Sequence, residues 1–328
     1  MPTASTTSPP QAPAIPAALD GRRRTFLEAC EIDRNLSPLT IRQYELYLDH
    51  LLSWLSQRFP QVQDLTDLDP EIVRAYKLTL ARHLNARTGR PRARATQTYF
   101  LVALRSLLRY WALQGLEVMA PDRVELGKAQ SRSLKFLDPS EMQRLLAAPD
   151  LTEERGLRDR ALLETFFSTG LRVSELARLD RDDINLRTRE FSVVGKGRKS
   201  RIVFLTEAAA GWLERYLAAR TDRWKPLFIR TRGERDLNPD GLRMRMSPRS
   251  LERVVEKYVK AAGLPVAATP HTLRHSFATD LLSNGADLRA VQEMLGHANL
   301  NTTQIYTHVT NPQLRAVHRK FHSGNREA

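Results

Sequence analysis

Apolar residues recur at helical spacing through much of the chain. Ile41, Tyr44, Leu48, Leu51, Leu52 and Leu55 fall on one face of a 3.6-residue period. Ser37 before Pro38 offers an N-cap followed by a first-turn proline, so this helix is expected to start there. Phe26, Leu27 and Cys30 form a shorter stripe before it, and Ile72, Val73, Tyr76 and Leu80 a third after Asp69-Pro70. A fourth runs through Tyr99, Leu101, Val102, Leu104, Leu107, Leu108 and Trp111 and stops at Gly115. Together they predict a compact helical domain over residues 21–115. The period then lapses among Pro121, Gly127 and scattered charges, which predicts an extended linker over 116–137. Residues 1–20, rich in Pro, Ala, Ser and Thr and uncharged until Asp20, are expected to form a disordered tail.

The second half mixes two periods. Asp138-Pro139-Ser140-Glu141 is a helix start, and a further helix from about Arg158 to Ser168 breaks at Thr169-Gly170. Residues 191–194 and 201–204 are β-rich runs around Gly195-Lys196-Gly197-Arg198, a hairpin with a basic tip. Helical patterns return at about 206–220, 248–262, 271–284, 288–295 and 300–307. The expected fold is mainly α in two domains, the second an α+β domain over 138–310 with a small β-sheet. In the tail at 311–328, Leu314, Val317 and Phe321 fall near one face after Pro312. Such a small face cannot form a core of its own and needs a groove to dock in.

Length and charge narrow the class. The 328 residues suffice for two cores. A formal net charge of +14 and a pI near 10.3 point to a polyanionic partner. The excess is uneven: residues 1–128 carry 17 basic and 13 acidic side chains, residues 129–328 carry 34 and 24. Cys30 is the sole cysteine, which excludes an intrachain disulfide and a thiolate metal cluster and makes a reducing cytoplasm the expected compartment. No apolar run approaches the roughly 20 residues that span a bilayer, so no membrane partner is expected. The N-terminus also lacks the basic-then-apolar order of a secretory signal.

The candidate chemistry gathers near the C-terminus. Tyr306 follows His297 by nine residues, and His271-Thr272-Leu273-Arg274-His275 lies upstream. A phenol can attack phosphorus and hold the product as an ester, provided cations neutralise the phosphate. That points to DNA strand cutting by a tyrosine rather than by activated water. Arg172 follows the helix-ending Gly170 and so projects from a turn, while Arg274 shares a helix with two histidines. Two guanidiniums each offer paired donors to phosphate oxygens. Glu175, one turn after Arg172, suits a partner that orients a cation or an imidazole. His271 and His275, four apart, share a helix face, a spacing that with His297 also suits zinc. The glutamate of a metalloprotease helix is absent and the two arginines oppose a cation, so neither metal nor cofactor is expected.

Four segments resemble one family. Thr169-Gly170-Leu171-Arg172-Val173-Ser174-Glu175-Leu176, the Lys196 hairpin, His271-Thr272-Leu273-Arg274-His275-Ser276-Phe277-Ala278-Thr279 and Leu295-Gly296-His297 with Tyr306 are similar to the tyrosine recombinases, above all the bacterial Xer recombinases. The likeness covers about 138–310, and the helices carrying Ser37, Thr40 and Tyr44 resemble the family's SAM-like core-binding domain. It implies Tyr306 as nucleophile, Arg172, Arg274, His271 and His297 on the phosphate, and Lys196 as the acid protonating the departing 5′ oxygen, with His275 packed structurally. Arg198, Lys199 and Arg201 on the hairpin, and Arg92 and Arg94 in the arginine-rich loop before the fourth helix, are expected to touch DNA.

The resemblance further implies paired half-sites of duplex DNA held by four protomers, as a homotetramer or with a second recombinase, and protomer contacts through the tail. It brings in chromosome-dimer resolution at cell division, with a cell-division DNA translocase as a further partner. The alternatives are a phage or mobile-element integrase, a type IB topoisomerase and a DNA-binding regulator without catalysis. Gly285-Ala286-Asp287-Leu288-Arg289 and Gln304-Ile305-Tyr306-Thr307-His308 favour the Xer reading.

Overall fold

Four amphipathic helices build the first part of the computed structural model, which describes residues 14–85, 88–127, 135–195, 200–265 and 268–296. They are α1 (Ala17–Ile32), α2 (Pro38–Arg58), α3 (Pro70–Arg82) and α4 (Arg94–Leu113). Ser37 Oγ accepts from the Thr40 amide at 3.3 Å and Asp69 from the Ile72 amide at 2.8 Å, so both helices start where their caps predict. Leu19, Phe26, Leu48, Leu52, Leu55, Tyr76 and Leu104 close the core.

Two expectations fail here. The segment expected as a disordered tail turns helical at Ala17, because Leu19 belongs to the same buried stripe as Phe26 and Cys30. Much of the expected linker is packed rather than extended: Val124 is wholly buried, and Leu116, Val118, Met119 and Leu126 lie against the first core. Their spacing is irregular, so no periodicity reveals them. The chain accordingly divides into the units Met1–Ser131 and Arg132–Ala328.

The second unit contains α5 (Pro139–Ala147), α6 (Glu154–Thr169), the short α7 (Val173–Leu176) and a two-stranded antiparallel sheet of β1 (Glu190–Val194) and β2 (Ser200–Phe204). After them come α8 (Glu207–Ala219), α9 (Pro248–Ala261), α10 (Pro270–Ser283) and α11 (Leu288–Leu295). Helix α6 packs against α5, α8, α10 and β2 and is buried on most sides. Its polar residues are correspondingly paired. Arg158 donates to Asp159 and to the Ile229 carbonyl, each at 2.9 Å, and the Tyr258 hydroxyl donates to Asp159 at 2.9 Å. In the sheet Phe191 faces Val203 and Val193 faces Arg201 across the register. Phe191, Val193 and Val203 are buried in the core. The helix expected at 300–307 and the tail at 311–328 lie outside the described residues.

Gly170 ends α6 in the left-handed region, with φ of +59°. A Cβ there would lie 2.5 Å from the Phe277 ring, so glycine is required twice over. Gly211, inside α8, meets nothing within 4 Å. We therefore expect Gly170→Ala to destabilise the protein by about 1–3 kcal/mol. Gly211→Ala should stabilise it by roughly 0.5–1 kcal/mol. Urea melts of the two variants check both signs, and equal effects would mean that the α6 terminus is not under this constraint.

Candidate active site

The site starts at the turn that Gly170 makes. Leu171 is buried, and Arg172 becomes the N-cap of α7 with extended backbone. Glu175 sits at the third position of α7 and reaches back: its Oε2 accepts from the Arg172 amide at 2.9 Å and its Oε1 from Arg172 Nη1 at 2.8 Å. Both oxygens also receive the fork of Arg201 from β2, at 3.0 and 2.7 Å. Glu175 therefore holds two guanidiniums, one on its own helix and one from the hairpin. Burial would raise its pKa, but the Arg201 and Arg172 hydrogen bonds and the Arg201 charge prevail and bring it from 4.5 down to about 2.

The end of α11 completes the cluster. Its last carbonyls have no donors within the helix and carry partial negative charge. Three consecutive ones accept from three arginines: Met294 O from Arg201 Nε at 2.9 Å, Leu295 O from Arg274 Nη2 at 2.6 Å and Gly296 O from Arg172 Nη2 at 3.4 Å. Arg274, buried on α10, also donates through Nη1 to Gly170 O at 2.6 Å. It thus joins the C-terminal ends of α6 and α11. The side chain of Arg172 is 29% accessible and keeps donors beyond these bonds, so it is the guanidinium best presented to an anion.

His271 lies one turn before Arg274 on the accessible side of α10, and His275 is half-buried on the same helix. Loss of water, then the charges of Arg274 and Arg172, hold the His271 pKa below its ordinary 6.5. The imidazole is therefore neutral at pH 7 and available as a proton acceptor. Burial, then His271 and Arg274, lower His275 as well. Among the described residues no group of three or more His, Cys, Asp or Glu is arranged to hold a metal.

The structure thus brings Arg172, Arg274 and His271 into one place. Lys196, Arg198, Lys199, His297 and Tyr306 lie outside the described residues, although His297 directly follows Gly296 in the sequence. Arg201 departs from its expected DNA contact. Its side chain is 9% accessible and turned inward, because strand parity puts it on the same side as the buried Val203. That parity was the signal for its position, and the surrounding basic residues masked it. In the first unit Arg94 is exposed at the start of α4, while Arg92 lies over the Phe100 ring, 4.4 Å from its centre.

Residues 135–312 match the model of the Phage integrase family, and residues 24–115 that of the Phage integrase N-terminal SAM-like domain. The chain is 37% identical to the tyrosine recombinase XerC of Pelotomaculum thermopropionicum over 311 residues, covering 90% of this chain and 96% of that protein. It is 36% identical to the tyrosine recombinase XerD of Pseudomonas aeruginosa over 307 residues, covering 90% and 95%. Among solved structures, the XerH site-specific recombinase bound to its palindromic difH substrate after cleavage matches with a TM-score of 0.64 and 25% identity. That match covers 90% of this chain and 84% of that one.

Glu175 sets a pH dependence of folding. Its pKa is depressed in the folded state, so its stabilisation is present above pH 4.5 and lost as pH falls towards 2. The contribution is on the order of 3 kcal/mol. Glu175→Gln should therefore be much less stable than wild type at neutral pH, with the gap closing below about pH 4.5. Denaturant titrations across this range read the gap directly. A gap that stays constant would remove the carboxylate's charge from the account.

Proposed function

The chain belongs to the phage integrase family of tyrosine recombinases, and we propose that Tyr306 is the nucleophile by which this site-specific recombinase cuts DNA. The phenol oxygen attacks a phosphodiester, its proton passing to a neutral imidazole, His271 or His297. The bond from phosphorus to the 5′ oxygen breaks, and Lys196 protonates the departing oxygen. A 3′-phosphotyrosyl ester remains. The 5′ hydroxyl of the partner strand then attacks this ester, so no external energy source is needed. Arg172 and Arg274 neutralise charge at the phosphorus as it becomes five-coordinate. What supports this most is the meeting of Arg172, Arg274 and Glu175 at the end of α11, with His271 one turn from Arg274.

The proposed setting is Xer-type resolution of chromosome or plasmid dimers in the cytoplasm. Four protomers on two sites, alike or mixed with a second recombinase, exchange strands, and a cell-division DNA translocase acts with them. Likeness to the XerC and XerD proteins over nine-tenths of the chain supports this role. Among the described residues no helix is long and apolar enough to cross a membrane. Arg94, Arg92, Arg198 and Lys199 are the proposed contacts to the DNA backbone.

Protomer contact is assigned to residues 311–328. A groove of about 570 Å³ lies between α6, β2 and α10, with Leu146, Phe167, Ile202, Phe204 and Leu281 supplying apolar walls. Glu164 and Asp280 also line it. These features fit the tail's Leu314, Val317 and Phe321 and its cations Arg315, Arg319 and Lys320. A neighbouring protomer's tail is the proposed occupant.

Tyr306→Phe should bind its DNA site with unchanged affinity and yield no covalent complex on a nicked suicide substrate, read on a denaturing gel. An adduct formed by this variant would move the nucleophile elsewhere. Truncation after Thr310 should reduce cooperative binding to paired half-sites at least about tenfold while single half-site affinity stays the same. Gel-shift titrations on one and two half-sites separate these quantities. Retained cooperativity would rule out tail exchange as the coupling device.

A further inference from the structure

Arg201 is a charged residue on the buried side of a strand, and a position of that kind needs a reason. All three kinds of nitrogen in its guanidinium are used: Nη1 and Nη2 on the two Glu175 oxygens, Nε on the Met294 carbonyl. Gly296 closes over it. With φ of +64° that glycine sits in the left-handed region, and a Cβ there would lie 3.0 Å from Arg201 Cδ and 3.3 Å from its Nη1. The guanidinium is therefore gripped by α7 on one side and by the end of α11 on another.

These contacts join three parts of the proposed reaction. Through Glu175, Arg201 bears on Arg172, since one carboxylate holds both guanidiniums. Through Met294 and Gly296 it bears on the turn that leads directly into His297. Through the chain it bears on Lys196, because Arg201 lies at the root of the strand that leaves the residue 195–199 connection. A two-stranded sheet alone is a weak support, as isolated hairpins are marginally stable in water. An arginine fork anchored at three acceptors restrains the root of such a hairpin in position and in angle.

We propose that Arg201 is a positioning residue that holds the Lys196 hairpin in register with the arginine site without touching DNA. The proposal rests on Lys196 protonating the 5′ leaving oxygen. Lysine at position 201 would keep the charge, but a single ammonium cannot span both Glu175 oxygens and the Met294 carbonyl. The hairpin root would then be held at fewer points, and proton delivery would suffer before binding does.

The test is Arg201→Lys with two suicide substrates, one with oxygen and one with sulfur at the bridging 5′ position. Sulfur leaves as thiolate and needs no proton. The variant should bind a half-site with wild-type affinity and wild-type salt dependence. It should form the covalent complex at least tenfold more slowly on the oxygen substrate, and recover most of that loss on the sulfur substrate. Weaker binding with a salt slope reduced by about one phosphate contact would make Arg201 a DNA ligand and overturn the proposal. An unchanged rate on oxygen, or an equal deficit on both substrates, would overturn it as well. Lys196→Ala on the same pair distinguishes the two layers. If sulfur fails to rescue that variant, the lysine's role falls; if it rescues Lys196→Ala but not Arg201→Lys, only the positioning role falls. Should circular dichroism show Arg201→Lys unfolded, Arg201→Gln, neutral and with an amide donor for either acceptor, is carried through the same comparison and judged by the same outcomes.

Discussion

A helix ends in carbonyls that its own backbone cannot satisfy, and α11 ends among arginines. Met294, Leu295 and Gly296 present successive carbonyls to Arg201, Arg274 and Arg172, which come from β2, α10 and the turn before α7. The acceptors carry the partial negative charge of the helix terminus, and the donors are full cations, so each bond is charge-assisted. Three elements distant in sequence are fixed to one another at a single point. Arg172, Arg274 and Arg201 of the candidate site all meet there.

Glu175 supplies the only carboxylate in this group of described residues. Three guanidiniums against one carboxylate leave a surplus of positive charge, with His271 neutral at pH 7. A phosphodiester supplies an anion, and its five-coordinate transition state carries more negative charge still. In the proposed reaction, an arrangement under-neutralised in the free protein would be better balanced as charge develops, which is the condition for electrostatic catalysis. Glu175 and the helix-end carbonyls hold the arginines through internal bonds, the kind of preorganisation that the proposed reaction requires.

The roles within the cluster are unequal. Arg274 is buried and ties α6 to α11 through Gly170 O and Leu295 O. Arg172 is partly accessible and held mainly by its own helix. Arg201 is enclosed and joins β2 to Glu175 and to the Met294 carbonyl. A residue type that reads identically at three positions is therefore buried between two helix ends at one, partly accessible at another and enclosed against a carboxylate at the third. The difference lies in burial and in the acceptors each fork meets.

Local features were legible in the sequence. Ser37, Asp69 and Asp138 start their helices as N-caps, Gly170 ends one, and the apolar stripes through Leu48–Leu55 and Ile72–Leu80 are buried as their periods require. Arg172, His271 and Arg274 were legible as candidates because they stand in short motifs with fixed neighbours. Glu175 was legible as a partner of some cation. Arg172 is its local partner; the tertiary structure alone added the second cation, since Arg201 is 26 residues away and Met294 lies 93 residues beyond Arg201. It also decided that Leu19 and Val124 are core residues rather than parts of a tail and a linker. Periodicity records how neighbouring residues share a face. Strand parity turns Arg201 inward but does not name the distant carboxylate it meets, and a single apolar side chain such as Val124, packed from an irregular segment, leaves no period to read.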